Sequence, residues 1–190
     1  MWSGYPRSML AQLTAHPSTT SSPIDRIEVE VERGSGGDLT LVYRAFGDLA
    51  RVRMPVGGSG RTDGLWQTTC FEAFVRPFGG DRYLELNASP SGRWATYWFD
   101  RERTGMVAAQ EHAGQLRTEE FPGGLRFATS LAVNPPNADW RLGLSAVIED
   151  VGGQKSWWAL AHPSDKPDFH HPDSFTLVLP ATDASKERQP

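Results

Sequence analysis

Short stretches of alternating polar and apolar residues, separated by turns rich in glycine and proline, run along most of this 190-residue chain. The clearest stretch is residues 24–32, where Ile27, Val29 and Val31 fall on one side and charged residues on the other. Successive side chains of a β-strand point to opposite faces, so a period of two predicts a half-buried strand. The 19 glycines and 14 prolines of the chain disfavour long helices. The pattern therefore restricts the chain to many short strands.

Similar stretches recur at regular spacing after the first one. The further predicted strands are residues 39–46, 68–76, 83–89, 93–100, 125–133, 141–150, 155–160 and 175–179. Residues 106–115, rich in alanine and glutamine, fit either a short helix or an irregular crossing loop. About nine short strands with turns between them predict an all-β protein, built as an antiparallel sandwich or barrel.

The length of the chain fits one domain, and its composition divides it into three parts. Residues 1–23 are rich in serine, threonine and proline and are interpreted as a lead-in without a core element. Residues 24–180 form the predicted domain, which is long enough to bury a sizeable core. Residues 181–190 are small, polar and charged, so we expect a disordered tail.

Charge and cysteine content exclude several classes of function. The formal net charge of −4 gives no basic surface for phosphates, so no nucleic-acid partner is expected. The single cysteine, Cys70, cannot form an internal disulfide. No apolar run approaches the roughly 18 residues of a membrane span, and no signal-peptide core is evident at the N-terminus. We therefore expect a cytoplasmic protein without a membrane partner.

Polar side chains occupy one side of several predicted strands. Glu72 alternates with apolar residues in strand 68–76, and Glu85 and Asn87 do so in the next strand. If these two strands are neighbours, the three side chains share one face, and Arg126 lies on the polar side of a later strand. A solvated sheet face is one interpretation. The other is a ligand-binding face, since burial of such groups without a partner costs about 1–3 kcal/mol.

Aromatic residues favour the second interpretation. Trp94 and Trp98 share one side of their strand, and one of the adjacent pair Trp157 and Trp158 must point outward. Flat rings cover the apolar faces of sugar rings, whereas carboxylates, amides and guanidinium groups bind sugar hydroxyls. This combination indicates a pocket for a polar, carbohydrate-like small molecule.

Residues 161–175 (AHPSDKPDFHHPDSF) hold the highest density of chemically active side chains. Three prolines restrict this loop, which suits the rim of a pocket. His162, Lys166, Asp168 and His170 are the candidate ligand contacts there. Two alternatives remain open: simple hydrogen-bonded loop histidines, or a divalent metal bound by His162, Asp168 and His170, although the spacing matches no zinc signature.

Sequence motifs of common enzymes are absent from the chain, which has no GxSxG, P-loop or HExxH pattern. Glu72 and Glu85 could act as a general acid/base pair, as in glycosidases. Cys70 is interpreted as a small core residue. No cofactor is predicted, and non-covalent haem is an alternative that requires a histidine or methionine ligand. The candidates for that ligand are Met106, His162, His170 and His171.

Four sequence segments resemble a known family. Residues 63–75 (DGLWQTTCFEAFV) and 83–100 (YLELNASPSGRWATYWFD), then 142–150 (LGLSAVIED) and 156–177 (SWWALAHPSDKPDFHHPDSFTL), are similar to bacterial DOMON-like domains. Those domains are related to carbohydrate-binding modules of family 9. The resemblance covers roughly residues 24–180 and implies an immunoglobulin-like, jelly-roll-like β-sandwich in which one sheet forms a ligand pocket.

The resemblance also implies a function, because relatives bind sugars or haem. In family 9 modules two tryptophans sandwich the sugar, and Trp98 and Trp158 are the candidates for that pair here. The predicted function is a small-ligand-binding module that takes a carbohydrate or sugar derivative. An enzyme that uses the carboxylates or the histidine loop is the first alternative, and haem or metal binding is the second. The predicted ligand contacts are Glu72, Glu85, Asn87, Trp98, Arg126, Trp158, His162, Lys166, Asp168 and His170.

Overall fold

The chain folds almost entirely into β-strands joined by short loops. A computed structural model describes residues 8–34, 36–133 and 138–181. Its strands are β1 (Ser8–Ala15), β2 (Ile24–Arg33), β3 (Asp38–Gly47), β4 (Gly60–Arg61), β5 (Cys70–Pro77), β6 (Tyr83–Ala88), β7 (Arg93–Phe99), β8 (Val107–Ala108), β9 (Arg117–Phe121), β10 (Gly124–Ala132), β11 (Trp140–Glu149), β12 (Lys155–Ala159) and β13 (Leu177–Leu179). The helices within these ranges are single 3₁₀ turns at Leu49–Arg51, Leu65–Gln67 and Pro172–Ser174.

The strands form one curled sheet in the order β4-β7-β6-β5-β11-β12-β1-β2-β3-β10-β9, with β13 beside β11 and β8 beside β7. Neighbouring strands are antiparallel except for β4 and β7, which are parallel. Strand β1 connects two halves of the sheet. Its residues 8–13 pair with β2, whereas Thr14 and Ala15 pair with Ala159 and Trp158 of β12. We call β2, β3, β9 and β10 the first half, and β4–β7, β11 and β12 the second half.

The two halves face each other across the main core. Phe71 of β5 contacts Tyr43 of β3, with 4.9 Å between ring centroids, and stacks on Phe127 of β10 at 4.8 Å. The Tyr43 hydroxyl also donates a hydrogen bond of 2.7 Å to the carbonyl oxygen of Glu72. The inner faces of both halves therefore exclude water, and burial of their aliphatic and aromatic side chains is the main source of stability.

Each strand predicted from the sequence overlaps a strand of the structure, so the all-β prediction is confirmed. The start of β5 differs because residues 65–67 form a 3₁₀ turn, and the strand begins at Cys70 rather than at residue 68. Residues 106–115 contain β8 and no helix, so the crossing-loop alternative is confirmed. No helix among the described residues is long and apolar enough to cross a membrane.

Strands β1 and β9 were not predicted. The interpretation of residues 1–23 as a lead-in without a core element is wrong. Strand β1 lies between β2 and β12, and its Leu13 is buried. Most of β1 is exposed, which leaves little alternation to detect. Strand β9 is an edge strand with the polar sequence RTEEF and likewise lacks a buried face. The predicted disordered tail lies outside the described residues, apart from Ala181.

Candidate binding site on the outer face of the second half

The strand register brings three predicted residues together on the outer face of the second half. Glu72 of β5 lies opposite Asn87 of β6 on one side and Ser145 of β11 on the other. Glu85 lies one row away, opposite Phe74. The alternation of strand side chains places all of these residues on the face that points away from the main core. We call Glu72, Glu85, Asn87 and Ser145 the carboxylate cluster.

The carboxylate cluster is buried and nearly, but not fully, hydrogen-bonded. The Ser145 hydroxyl donates to Glu72 Oε2 at 3.0 Å, and Asn87 Nδ2 donates to Glu85 Oε1 at 2.9 Å. Glu72 is 2% exposed and Glu85 5%. The second oxygen of Glu72, Oε1, has no hydrogen-bond partner among the described residues. An unsatisfied buried acceptor is costly, so this atom is the natural contact for a group from outside the chain.

Burial changes the protonation of both carboxylates. Loss of water, reinforced by the nearby charge of Glu85, raises the pKa of Glu72 to about 8, although the Ser145 hydroxyl opposes this effect. Burial also raises the pKa of Glu85 to about 7, against the lowering effects of Asn87 and Arg103. Glu72 is therefore largely protonated at neutral pH and can donate as well as accept a hydrogen bond.

The adjoining part of the outer face is an aromatic cluster covered by residues 161–175. Its buried aromatic members are Phe74, Tyr83, Tyr97, Phe99 and Phe175. The His170 ring packs edge-on against Phe74 and Phe99. The Tyr83 hydroxyl lies 2.7 Å from His170 Nδ1. Burial raises the pKa of Tyr83 to about 12 and lowers the pKa of His170 to about 4. Tyr83 is therefore the donor, and His170 is a neutral acceptor that anchors the loop.

The other predicted loop residues serve different purposes. Asp168 accepts a 2.7 Å hydrogen bond from the Arg103 guanidinium and another from the His170 amide, so it ties the loop to the turn after β7. His162 Nε2 lies 2.8 Å from the Thr14 carbonyl oxygen, at the edge where β1 meets β12. Lys166 is exposed. Asp168 and His170 thus cover the outer face, whereas neither His162 nor Lys166 contacts the carboxylate cluster.

The predicted tryptophans point to the wrong side of the sheet for this site. Trp98 lies opposite Leu84 and packs against the main core, and Trp158 lies opposite Ala146 and is buried in that core. The sequence shows that one member of the pair at 157–158 points outward, and the strand register identifies it as Trp157. Trp98 and Trp158 are therefore structural residues of the inner face.

Arg126 is also excluded from the cluster. It lies on β10, in the first half, and alternates with the core residues Leu125 and Phe127. Its guanidinium is 3.5 Å from the carboxylate of Glu119 on β9. The side chain therefore faces solvent on the far side of the main core from the carboxylate cluster. The alternation of polar and apolar residues in β10 shows which side chains face outward. It does not show in which half of the sheet the strand lies.

Further residues lie next to the carboxylate cluster, and of these the sequence indicated only Trp157, as one member of an adjacent pair. Tyr97 lies opposite Glu85 and donates a short hydrogen bond to Asp63. Trp66 is 55% exposed in the 3₁₀ turn that precedes β5, and the half-buried Trp157 lies opposite Val147 of the outer face. Trp66 lies among turn residues without strand alternation, so the period-two pattern of the sequence does not identify it.

The predicted metal ligands do not come together. Within the described ranges, no group of three or more histidine, cysteine, aspartate or glutamate side chains is placed to hold a metal ion. His162 packs edge-on against His16 at 4.9 Å, whereas His170 is held by Tyr83 within the aromatic cluster. Cys70 is buried on the outer face, and burial raises the pKa of its thiol well above the ordinary value, so the thiol is neutral.

The all-β fold of this chain is similar to the folds of two solved structures. The chain is similar in structure to a "putative carbohydrate-binding protein" from Bacteroides uniformis, with a TM-score of 0.62 and 16% identity over 88% of this chain and 84% of that one. It is also similar to a family 9 carbohydrate-binding module from Caldicellulosiruptor kristjanssonii in complex with cellotriose, with a TM-score of 0.52 and 9% identity over 95% of this chain and 87% of that one. No family profile and no curated protein matches the sequence.

Proposed function

We propose that this chain is a small-ligand-binding module that takes a carbohydrate or sugar derivative at the carboxylate cluster. The finer assignment to immunoglobulin-like, jelly-roll-like DOMON domains is part of this proposal, as is a cytoplasmic location. The observation that carries it is the buried Glu72 carboxyl group, whose Oε1 has no partner among the described residues. The likeness to carbohydrate-binding folds supports the choice of ligand.

The chemistry of the cluster suits a polyhydroxylated ligand. Glu72 is largely protonated near neutral pH and Glu85 titrates there, so the pair offers both a donor and acceptors. Each sugar hydroxyl likewise donates one hydrogen bond and accepts others. A hydroxyl on Glu72 Oε1 would satisfy the buried atom that the fold leaves without a partner. This contact would orient the ligand at a low entropy cost, because the buried Glu72 side chain is already held in place before the ligand binds.

Aromatic side chains border the cluster on the side where β5 begins. Trp66 precedes the strand and is exposed, and Trp157 lies in the same row of the outer face as Val147 and Cys70. Phe169, from the loop of residues 161–175, lines a narrow cavity together with Ser145. Glu72 and Glu85 themselves are buried. A ligand therefore reaches the carboxylates only when a covering segment moves, and the exposed tryptophan supplies the first apolar surface that it meets.

The test is a thermal-shift panel of mono- and oligosaccharides, sugar nucleotides, haemin and divalent metals, followed by calorimetry of any sugar that binds. We expect Glu72→Gln and Trp157→Ala to weaken sugar binding at least tenfold. Trp98→Ala is the matched control, because it removes a partly buried tryptophan from the opposite face of the same half-sheet. Equal loss in Trp98→Ala and Trp157→Ala, or no sugar response at all, would overturn the proposal. A haemin or metal response would move the assignment to that alternative.

An enzyme is the second candidate, favoured by the raised pKa values of Glu72 and Glu85. A carboxyl group that is protonated near pH 7 can act as a general acid, and a carboxylate beside it can act as a base or nucleophile. The discriminating measurement is hydrolysis of the sugar that binds. Turnover that Glu85→Gln abolishes while affinity is kept would support catalysis, and binding without turnover would support the module.

A further inference from the structure

An open groove lies at the other end of the outer face, beyond the aromatic cluster. The groove, of about 400 Å³, lies between the β5–β6 hairpin loop and β11. The hairpin turns through Gly79, whose φ of +91° is a conformation that L side chains rarely adopt. The groove is lined by Arg76, Pro77, Phe78, Gly79, Gly80, Asp81 and Arg141. Its volume is in the range of small-molecule sites, about 300–1,000 Å³.

Two arginines face each other directly across the floor of the groove. Arg76 of β5 and Arg141 of β11 are cross-strand partners, and neither forms an ion pair with another described residue. Like charges directly opposite each other destabilise a sheet. A chain with a net charge of −4 thus places two cations side by side without compensation. An anion that binds both of them would remove this repulsion.

Aromatic rings hold both guanidinium groups in place. The Arg76 guanidinium lies over the Phe175 ring at 5.3 Å, and that of Arg141 lies over the Phe78 ring at 5.0 Å. Stacking restricts each group through its flat face and leaves its N–H edge available to an acceptor. The pair is therefore partly ordered before any ligand arrives, which lowers the entropy cost of binding.

The acidic groups around the groove form no ion pair with Arg76 or Arg141 among the described residues. Asp81 lines the groove and is exposed, without an ion pair among the described residues. The Asp139 carboxylate, on the neighbouring segment, accepts a 2.6 Å hydrogen bond from the Ala181 amide. Two cations against one acid on the lining leave the groove positive. The negative charge of Asp81 opposes anion binding. Removal of this charge should therefore strengthen anion binding, whereas removal of either arginine should weaken it.

We propose that this groove binds a phosphate-bearing small molecule, with its phosphate held between Arg76 and Arg141. A guanidinium group can bind phosphate through two parallel N–H···O hydrogen bonds. A phosphate monoester carries a charge of about −1.5 to −2 at pH 7, which is enough to compensate both arginines. A carboxylate carries a single charge and would leave one arginine uncompensated. The remaining volume, beside the exposed Phe78 and the open hairpin, accommodates the organic part of the ester.

The test is calorimetric titration with inorganic phosphate and with glucose 6-phosphate, at fixed ionic strength set with sodium chloride. Glucose and glucuronate are the neutral and carboxylate arms. We expect both phosphates to bind, and Arg141→Gln and Arg76→Gln each to weaken binding at least tenfold. Asp81→Asn should tighten binding severalfold. Arg51→Gln, at an exposed arginine of a distant 3₁₀ turn, is the matched control and should change nothing.

A structural readout separates the site from simple surface charge. Without phosphate, the Arg141→Gln variant should melt at a temperature no lower than that of the unmodified protein, because the substitution removes the repulsion between Arg76 and Arg141. With phosphate, only the unmodified protein should gain stability. Equal phosphate binding by Arg141→Gln and Arg51→Gln would overturn the proposal, as would equal affinity for glucuronate. Tighter binding of glucose 6-phosphate than of inorganic phosphate would identify an ester as the ligand, and the reverse would identify the free ion. Sugar binding at the carboxylate cluster should be unchanged in Arg141→Gln, so the two proposals can fail separately.

Discussion

The two faces of strand β5 are equally buried and chemically opposite. Phe71 and Val75 on the inner face belong to the main core, whereas Cys70, Glu72 and Phe74 occupy the outer face. The inner face is stabilised mainly by transfer of apolar surface out of water. The outer face buries an ionisable group at a cost in stability. Burial alone therefore does not distinguish a core from a candidate site, but the chemistry of what is buried does.

The largest expected effect is on the inner face. Phe71→Ala removes a ring that stacks on Phe127 and contacts Tyr43, so we expect a loss of about 3–5 kcal/mol in the free energy of unfolding. Urea denaturation measures this loss. Phe78→Ala, at a ring that is 49% exposed, is the control and should change stability by less than about 0.5 kcal/mol. Similar losses in both variants would mean that the halves do not pack through Phe71.

The next effect is a pH dependence from the outer face. The pKa of Glu72 is raised in the folded state to about 8, so the native protein holds a proton that the unfolded chain releases. Stability is therefore highest below the unfolded pKa of 4.5 and falls as the pH rises towards 8, by roughly 3–4 kcal/mol at about 1.4 kcal/mol per unit.

Glu72→Gln tests this dependence because it keeps the shape of the side chain and removes its titration. The difference in unfolding free energy between variant and parent should grow in favour of Gln from pH 5 to pH 8. Glu85 contributes a smaller slope of the same sign. A difference that stays constant with pH would show that Glu72 titrates normally.

A smaller effect of opposite sign comes from His170. Its pKa is lowered to about 4, so protonation of the unfolded chain destabilises the fold as the pH falls from 6.5 towards 4. We expect a loss on the order of 2 kcal/mol over that window, and His170→Gln should abolish it. Denaturation at pH 6.5, 5.5 and 4.5 measures the slope. The parent slope persisting in His170→Gln would assign it to another group.

The smallest effect is expected on the far side of the molecule. Arg126→Gln breaks a surface ion pair with Glu119, and exposed pairs of this kind are worth about 0–1 kcal/mol. Sugar affinity should be unchanged, because Arg126 lies across the main core from the carboxylate cluster. Calorimetry with the sugar identified by the panel checks this. A loss of affinity would return Arg126 to the site.

Alternation in the sequence predicts most of the fold and half of the candidate site. It gives the strands and the shared face of Glu72, Glu85 and Asn87, because period-two patterning is local and neighbouring strands are joined by short turns. It assigns Trp98 and Trp158 to the wrong face, since the pattern does not tell which side of a strand meets the core when both sides are apolar. Arg126 fails for another reason: which half of the sheet holds a strand depends on pairing between residues far apart in sequence.

Strand β1 has a consequence for the order in which the chain can fold. Its last residues pair with β12, and the Thr14 hydroxyl bonds a carbonyl 145 residues further along the chain. On a ribosome β1 is made before β12, which is the partner of its last residues. The β1–β12 junction therefore cannot form until residues 155–159 have been synthesised, and such distant pairing slows folding. Until then the β12-facing edge of β1 stays open, and the nascent chain is open to pairing with another strand there.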